Sequence, residues 1–146
     1  MISALLDANV LASGIAGWRR QETAPLACLR RALNGDITLV ISDELLNELY
    51  RTLQKPYFIQ HTAPEDLNSV FQLILDVGDM AERTVIIHGV ATHPEDDLIL
   101  AAAVSADVDY LVTGDRQLLA LGDHGGVRIV SPAAFLALLD ADEPPR

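Results

Sequence analysis

This chain has a single cysteine, Cys28, and a single lysine, Lys55, in 146 residues. One cysteine excludes an internal disulfide. No apolar run approaches the ~20 residues that a membrane span requires. The N-terminus has no basic stretch ahead of its apolar residues and no small-residue cleavage pattern, which argues against a secretory signal. Together these absences point to the cytoplasm and away from a membrane. Aromatic residues are few, at 5%, yet half the chain is hydrophobic, enough for one globular core. Neither GxxxxGKS/T nor GxGxxG occurs, which argues against an NTPase or a dinucleotide enzyme. His61, His88, His93 and His124 show no HxxxH or HxH spacing, which argues against zinc.

Positive charge is also scarce. The net charge is −11, and it is unevenly spread. Residues 1–55 hold six bases and six acids, whereas the remainder holds four bases and fifteen acids. A general nucleic-acid binder would be basic. A nucleic-acid substrate would therefore need a local basic face or a bound cation.

What is present is alternation. Short apolar runs at Ser3–Leu6, Ile37–Ile41, Thr84–Ile87, Tyr110–Val112 and Val127–Val130 read as strands, several of them buried on both faces. Helical patterns fall between them. Leu26–Leu33 ends at Asn34-Gly35, and Asp43–Leu53 follows a Ser42 cap. Glu65–Val77 and Glu95–Ser105 begin beside Pro64 and Pro94. Gln117–Leu121 and Ala133–Leu139 complete the set, and the polar stretch Trp18–Pro25 reads as a loop. Such alternation predicts a parallel sheet of about five strands with helices on both faces. The pattern fits one domain over residues 1–139, with 140–146 a frayed tail.

In an open parallel sheet, ligands gather at the carboxyl edge of the strands. Acids arrive there from four crossings. Asp7 ends the first strand, and Glu44 and Glu48 lie in the helix after the second. Asp96 and Asp97 open the helix after the third, and Asp115 follows the fourth in "LVTGD". Each has a plainer account, because an acid in a first helical turn complements the helix dipole by ~0.3–1 kcal/mol. That account suffices for Glu44 and serves for Asp96, and Asp115 could simply cap its helix. Glu48 is harder to dismiss. It lies past the first turn and roughly 115° from the centre of the stripe formed by Leu45, Leu46, Leu49 and Leu53, against roughly 155° for Glu44. Its plain alternative is a surface pair with Arg51. Asp97 enters a helix whose next seven residues, Leu98–Val104, are all apolar. Carboxylates converging without a basic partner repel by ~1–4 kcal/mol per pair. Hard oxygen ligands suit Mg²⁺ or Mn²⁺, so Asp7 reads as the first ligand of a metal site. Cys28 lies mid-helix and reads as core, and His124-Gly125-Gly126 reads as a turn.

The segments "LLDANVLAS", "ISDELLNEL", "PEDDLILAAAV" and "ADVDYLVTGDRQLL" together resemble the PIN-domain nucleases in order and spacing, from Met1 to about Phe135. The nearest branch is that of VapC-like toxins of bacterial toxin–antitoxin pairs. The resemblance implies a three-layer α/β/α PIN-like fold and cleavage of RNA phosphodiester bonds with one or two Mg²⁺ or Mn²⁺ ions. It carries the ligand acids onto Asp7, Glu48, Asp97 and Asp115, with Asp96 as alternate for Asp97, and supporting positions onto Asn9, Ser42 and Thr113. Trp18, Arg19 and Arg20 are candidates for stacking a base and contacting phosphate, as are Arg51, Lys55 and Arg116 for phosphate. For Trp18 the plainer account is packing on the body. The resemblance further implies a homodimer and a small antitoxin whose basic tail reaches the acidic rim. Two other readings stand beside this one. A non-catalytic PIN-like module would bind RNA or a partner. A haloacid-dehalogenase-type phosphotransfer enzyme is disfavoured, because Asn9 replaces the second Asp of its DxD and Lys55 is the only lysine.

Overall fold

The computed structural model describes residues 1–142. Six strands form one sheet in the order β3-β2-β1-β4-β6-β5. They are β1 (Ser3–Leu6), β2 (Thr38–Ile41), β3 (Asp79–Met80), β4 (Tyr110–Val112), β5 (Asp123–His124) and β6 (Val127–Val130). All pairings are parallel except that of β5 with β6. Among the described residues there are eight helices, α1 (Ala8–Ala16), α2 (Ala24–Leu33), α3 (Asp43–Leu53), α4 (Pro56–His61), α5 (Pro64–Val77), α6 (Pro94–Ser105), α7 (Arg116–Leu121) and α8 (Pro132–Asp142). The expected mixed α/β architecture with a central, mostly parallel sheet is therefore present. Of the expected tail, 140–142 belong to α8, and 143–146 lie outside the described residues.

The chain builds outward from β1 to β2 and β3, then returns across the sheet to β4 and β6. The direction therefore reverses between β1 and β4, and a crevice opens there at the carboxyl ends of two adjacent strands. The strands beside this crevice are fully buried at Ala4, Leu5, Leu6, Leu111 and Val112, which is why they read as continuous apolar runs. At ~25 cal/mol per Å² of apolar surface, each such leucine contributes ~1.5–3 kcal/mol to holding the rim in place.

The structure corrects one strand. Thr84–Ile87 is not part of the sheet, and the slot beside β2 is taken by Asp79–Met80. The cause is how closely α5 ends against β2. At Gly78 a Cβ would lie 2.7 Å from Ile41 Cδ1 and 2.8 Å from the Ile74 carbonyl oxygen. The chain thus meets β2 at once, and Ile41, the last residue of β2, is already opposite Met80. By Thr84 no ladder is left, so the Thr84 and Val85 N–H groups donate to Ser105 Oγ, each at 3.0 Å. Ile86 is left 76% exposed.

Two helices lie outside the expected set, α1 and α4. In α1, Val10, Leu11, Ala12, Gly14 and Ile15 are all buried. A helix covered on most sides shows no 3.6-residue stripe. Gly14 marks where α2 crosses it, because a Cβ there would stand 2.8 Å from Leu29 Cδ2.

Candidate functional site

Asp7 leaves the end of β1 and caps α1. Its backbone N–H donates to the Val112 carbonyl of β4 at 2.8 Å, which places the side chain at the β1/β4 crevice. Oδ1 accepts from the Ala8 N–H and Oδ2 from the Thr113 hydroxyl, each at 2.8 Å. The residue is 5% exposed. Burial pushes its carboxyl above the usual range, the bonds from Thr113 and Ala8 pull it down, and the charges of Asp115 and Glu48 push it up again.

Thr113 is fully buried just past β4. Its hydroxyl donates to Asp7 and accepts from the Asp115 N–H at 3.0 Å. A hydroxyl can do both at once, so one side chain holds two acids in register. Asp115 caps α7, its Oδ1 accepting from the N–H groups of Gln117 at 2.8 Å and Leu118 at 3.1 Å.

The adjacent acids of α6 part company. Asp96 senses Asp7 and Asp115. Its carboxyl is pushed up to about 6, first by burial and then by those two charges, with His93 opposing and Glu95 adding. Asp97 is buried and engaged elsewhere: Oδ2 accepts from Gly89 N–H at 3.0 Å and Oδ1 from Ala91 N–H at 2.7 Å. Successive helical residues point about 100° apart, so one faces the crevice and the other the chain entering the helix.

Glu48 is close enough to Asp7 to raise its carboxyl, while its Oε2 pairs with Arg51 Nη2 at 2.9 Å. The plainer of the two sequence accounts of Glu48, the pair with Arg51, is thus present. Glu44 pairs with Arg83 at 3.1 Å. Ser42 is buried and caps α3, accepting from Leu45 N–H at 3.1 Å; it anchors the helix that carries Glu48. Asn9 is exposed on the first turn of α1, beside Asp7.

The candidate RNA contacts divide. The missed helix α1 carries Trp18, Arg19 and Arg20 away from the rim, since the ten steps from Asp7 to Gly17 rise ~15 Å along the helix axis. Trp18 packs against the core, with the Arg30 guanidinium 4.6 Å over its ring. Arg19 pairs with the buried Asp66 at 2.9 Å. Arg20 is exposed beside a cavity of about 470 Å³ that Tyr57 and Ser13 also line. Arg51 is committed to Glu48, Lys55 is exposed past α3, and Arg116 is exposed next to Asp115. The sequence reading missed Asp66 and the charge of His93 on Asp96. The first was hidden as an ordinary first-turn acid of α5, and the second has no spacing signal. Cys28 is buried and its thiol is pushed up to about 12 by burial, as befits a core residue.

The donors presented to the crevice are carboxylate oxygens that repel one another, the chemistry a hard divalent cation matches. As the side chains stand, no three acidic, histidine or cysteine side chains among the described residues are gathered tightly enough to grip one ion. The set therefore fits the group in kind, with Glu48 turned onto Arg51 and Asp115 onto its helix cap.

Asp7 and Asp115, joined through Thr113, stand at the switch point of a mostly parallel α/β sheet. The PIN-domain family pattern matches residues 3–117, and the chain belongs to that family. PIN domains are nucleases, and they generally use divalent metal ions. Among solved structures, a chain of VapBC2 from Rickettsia felis, crystallised bound to a DNA fragment from its promoter, is similar in fold. The identity is 16%, with 89% of this chain and 98% of that one covered and a TM-score of 0.57. No curated protein matches the chain significantly. Among the described residues, no helix is long and apolar enough to cross a membrane.

Proposed function

We propose that this protein is a metal-dependent endoribonuclease and the toxin of a toxin–antitoxin pair. The observation that carries the reading is the pair Asp7 and Asp115, joined through the Thr113 hydroxyl at the β1/β4 crevice with no basic partner of their own among the described residues, near enough to Asp96 and Glu48 for the charges to be felt. Such an arrangement costs stability unless a cation joins it. Of the two acids opening α6, Asp96 takes the ligand role, because Asp97 has both carboxylate oxygens on backbone N–H groups. Asp7, Glu48, Asp96 and Asp115 would hold one or two Mg²⁺ or Mn²⁺ ions. A bound divalent ion supplies water of lowered pKa and neutralises the leaving oxygen of an in-line displacement. The chain's own residues orient the site. Thr113 keeps Asp7 and Asp115 at fixed separation, Asn9 borders the mouth, and exposed Arg116 offers a cation to an incoming phosphate.

RNA is the substrate in this reading, with Arg20 and Lys55 as outlying phosphate contacts. The partners are a second copy of the chain and an antitoxin with a basic tail, suited to the acid-rich residues 56–146. The compartment is the cytoplasm. The test is incubation of the pure protein with mixed RNA, or with single-stranded DNA, in Mn²⁺ and in EDTA, beside Asp7→Asn and Glu48→Gln. Cutting of RNA in Mn²⁺ by the wild type alone supports the reading. Equal cutting by wild type and variants refutes the site, and preferential cutting of DNA refutes the substrate. One observation favours a non-catalytic PIN-like module: the Glu48–Arg51 pair, which occupies a ligand. Such a module would bind RNA yet gain no stability from Mn²⁺.

A further inference from the structure

Helix α6 brings Asp96 to the crevice, yet the entry to this helix lacks the usual fastening. Its cap residue, His93, makes no side-chain capping bond, and Pro94 follows it. His93, Pro94 and Glu95 are all exposed, whereas burial of Ile99, Leu100 and Ala101–Ala103 begins only further along. A first turn without a cap is weakly held; Asp96 sits in that turn, and Asp97 is its one buried residue.

The segment ahead of it, 81–93, has no helix or strand. Ser105 secures its first part through Thr84 and Val85. Asp97 secures its second part by gripping Gly89 and Ala91, one with each carboxylate oxygen. Gly89 takes φ of +69°, which turns the chain so that both N–H groups converge on one carboxylate. Among the described residues, no other side chain bonds the backbone of 88–93.

We infer that Asp97 is a positioning residue for the site: its two-oxygen clamp on Gly89 and Ala91 replaces the missing cap of α6 and so holds Asp96 aimed at Asp7 and Asp115. The inference rests on the proposed reading of the acidic crevice. It divides labour between two neighbouring acids, one facing the ion and the other fixing the turn that presents it. A charged acceptor is suited to this, because N–H bonds to a carboxylate are about twice as strong as those to a neutral oxygen.

The test compares Asp97→Ala, Asp97→Asn and Asp96→Asn with wild type by three readouts: amide exchange at Gly89 and Ala91, Mn²⁺ affinity by calorimetry, and RNA cleavage against Mn²⁺ concentration. Asp97→Ala is expected to speed exchange at both amides at least ~10-fold. It should also weaken Mn²⁺ by ~10–100-fold, the range for residues that orient ligands, and saturating Mn²⁺ should restore cleavage. Asp97→Asn, which keeps one acceptor and the shape, should fall between Asp97→Ala and wild type and guards against a folding failure. Asp96→Asn should leave the two amides protected and should not be rescued by Mn²⁺. The inference is overturned if Asp97→Ala leaves both amides protected, or if it abolishes cleavage beyond rescue as Asp96→Asn does. If wild type itself binds no Mn²⁺, the reading of the crevice and the aiming role fall together, and the exchange data alone then show whether the clamp exists.

Discussion

Replacing Asp96 by asparagine should make the ion-free protein more stable at pH 8. The carboxyl of Asp96 stands at about 6 against an ordinary 3.8, raised by burial, Asp7 and Asp115, with Glu95 adding and His93 opposing. Its folded-state pKa lies above its unfolded one. The group therefore stabilises the fold fully below pH 3.8, and that contribution is lost as the pH rises through about 6. At pH 8 the ionised side chain is a liability. Two pKa units correspond to ~3 kcal/mol. Asp96 is only partly buried, so solvent screening cuts this to ~1–1.5 kcal/mol. For a domain of this size that is a rise of ~2–6 °C in Tm. Asparagine keeps the shape and removes the charge, so the gain should be full at pH 8 in EDTA, fall to about half at pH 5 and vanish only below pH 3.8. Mn²⁺ should reverse the ranking. At a hundredfold excess over Kd a bound ion stabilises by ~2.7 kcal/mol, and the variant should lose most of that. The assay is thermal unfolding of both proteins at pH 5 and pH 8, with EDTA and with Mn²⁺. A variant that is less stable than wild type at pH 8 in EDTA, yet keeps the full Mn²⁺ shift, refutes the idea that Asp96 is a repelled member of the rim.

Thr113→Val removes the hydroxyl that joins Asp7 to Asp115. It should destabilise by ~1–3 kcal/mol in chemical denaturation and weaken Mn²⁺ by ~10-fold or more in calorimetry; unchanged ion affinity would mean that the bridge does not shape the site. Gly78→Ala places a Cβ against Ile41 and the Ile74 carbonyl, so a loss of ~1–3 kcal/mol is expected, read as a lower urea midpoint. Cys28, buried with its thiol pushed up to about 12, should resist thiol reagents at pH 8 in the folded protein and react fully in guanidinium. Fast labelling of the native state would contradict its burial.

The alternation of apolar runs with helical patterns was enough to specify a parallel α/β sheet. β1, β4 and β6 match their runs residue for residue; β1 and β4 do so as nearly continuous apolar strands buried on both faces, whereas β6 alternates, with Arg128 exposed between Val127 and Ile129. The same logic pointed to the strand ends, where Asp7 and Asp115 follow β1 and β4 and Glu48 is near enough for its charge to reach Asp7. Tertiary structure decided the rest. α1 left no periodic signature because it is buried on most sides, and its length moved Trp18, Arg19 and Arg20 off the rim. Thr84–Ile87 has the composition of a strand but arrives after β2 has run out. Asp96 and Asp97 are chemically identical neighbours, and the sequence reading put Asp97 first as ligand with Asp96 as alternate, the order that the proposed site reverses. Their difference is one of direction, set by which way the first turn of α6 faces and by a loop that folds back to be gripped. Local chemistry along the chain determines which groups are available, while the orientation of each side chain depends on contacts between residues far apart in sequence.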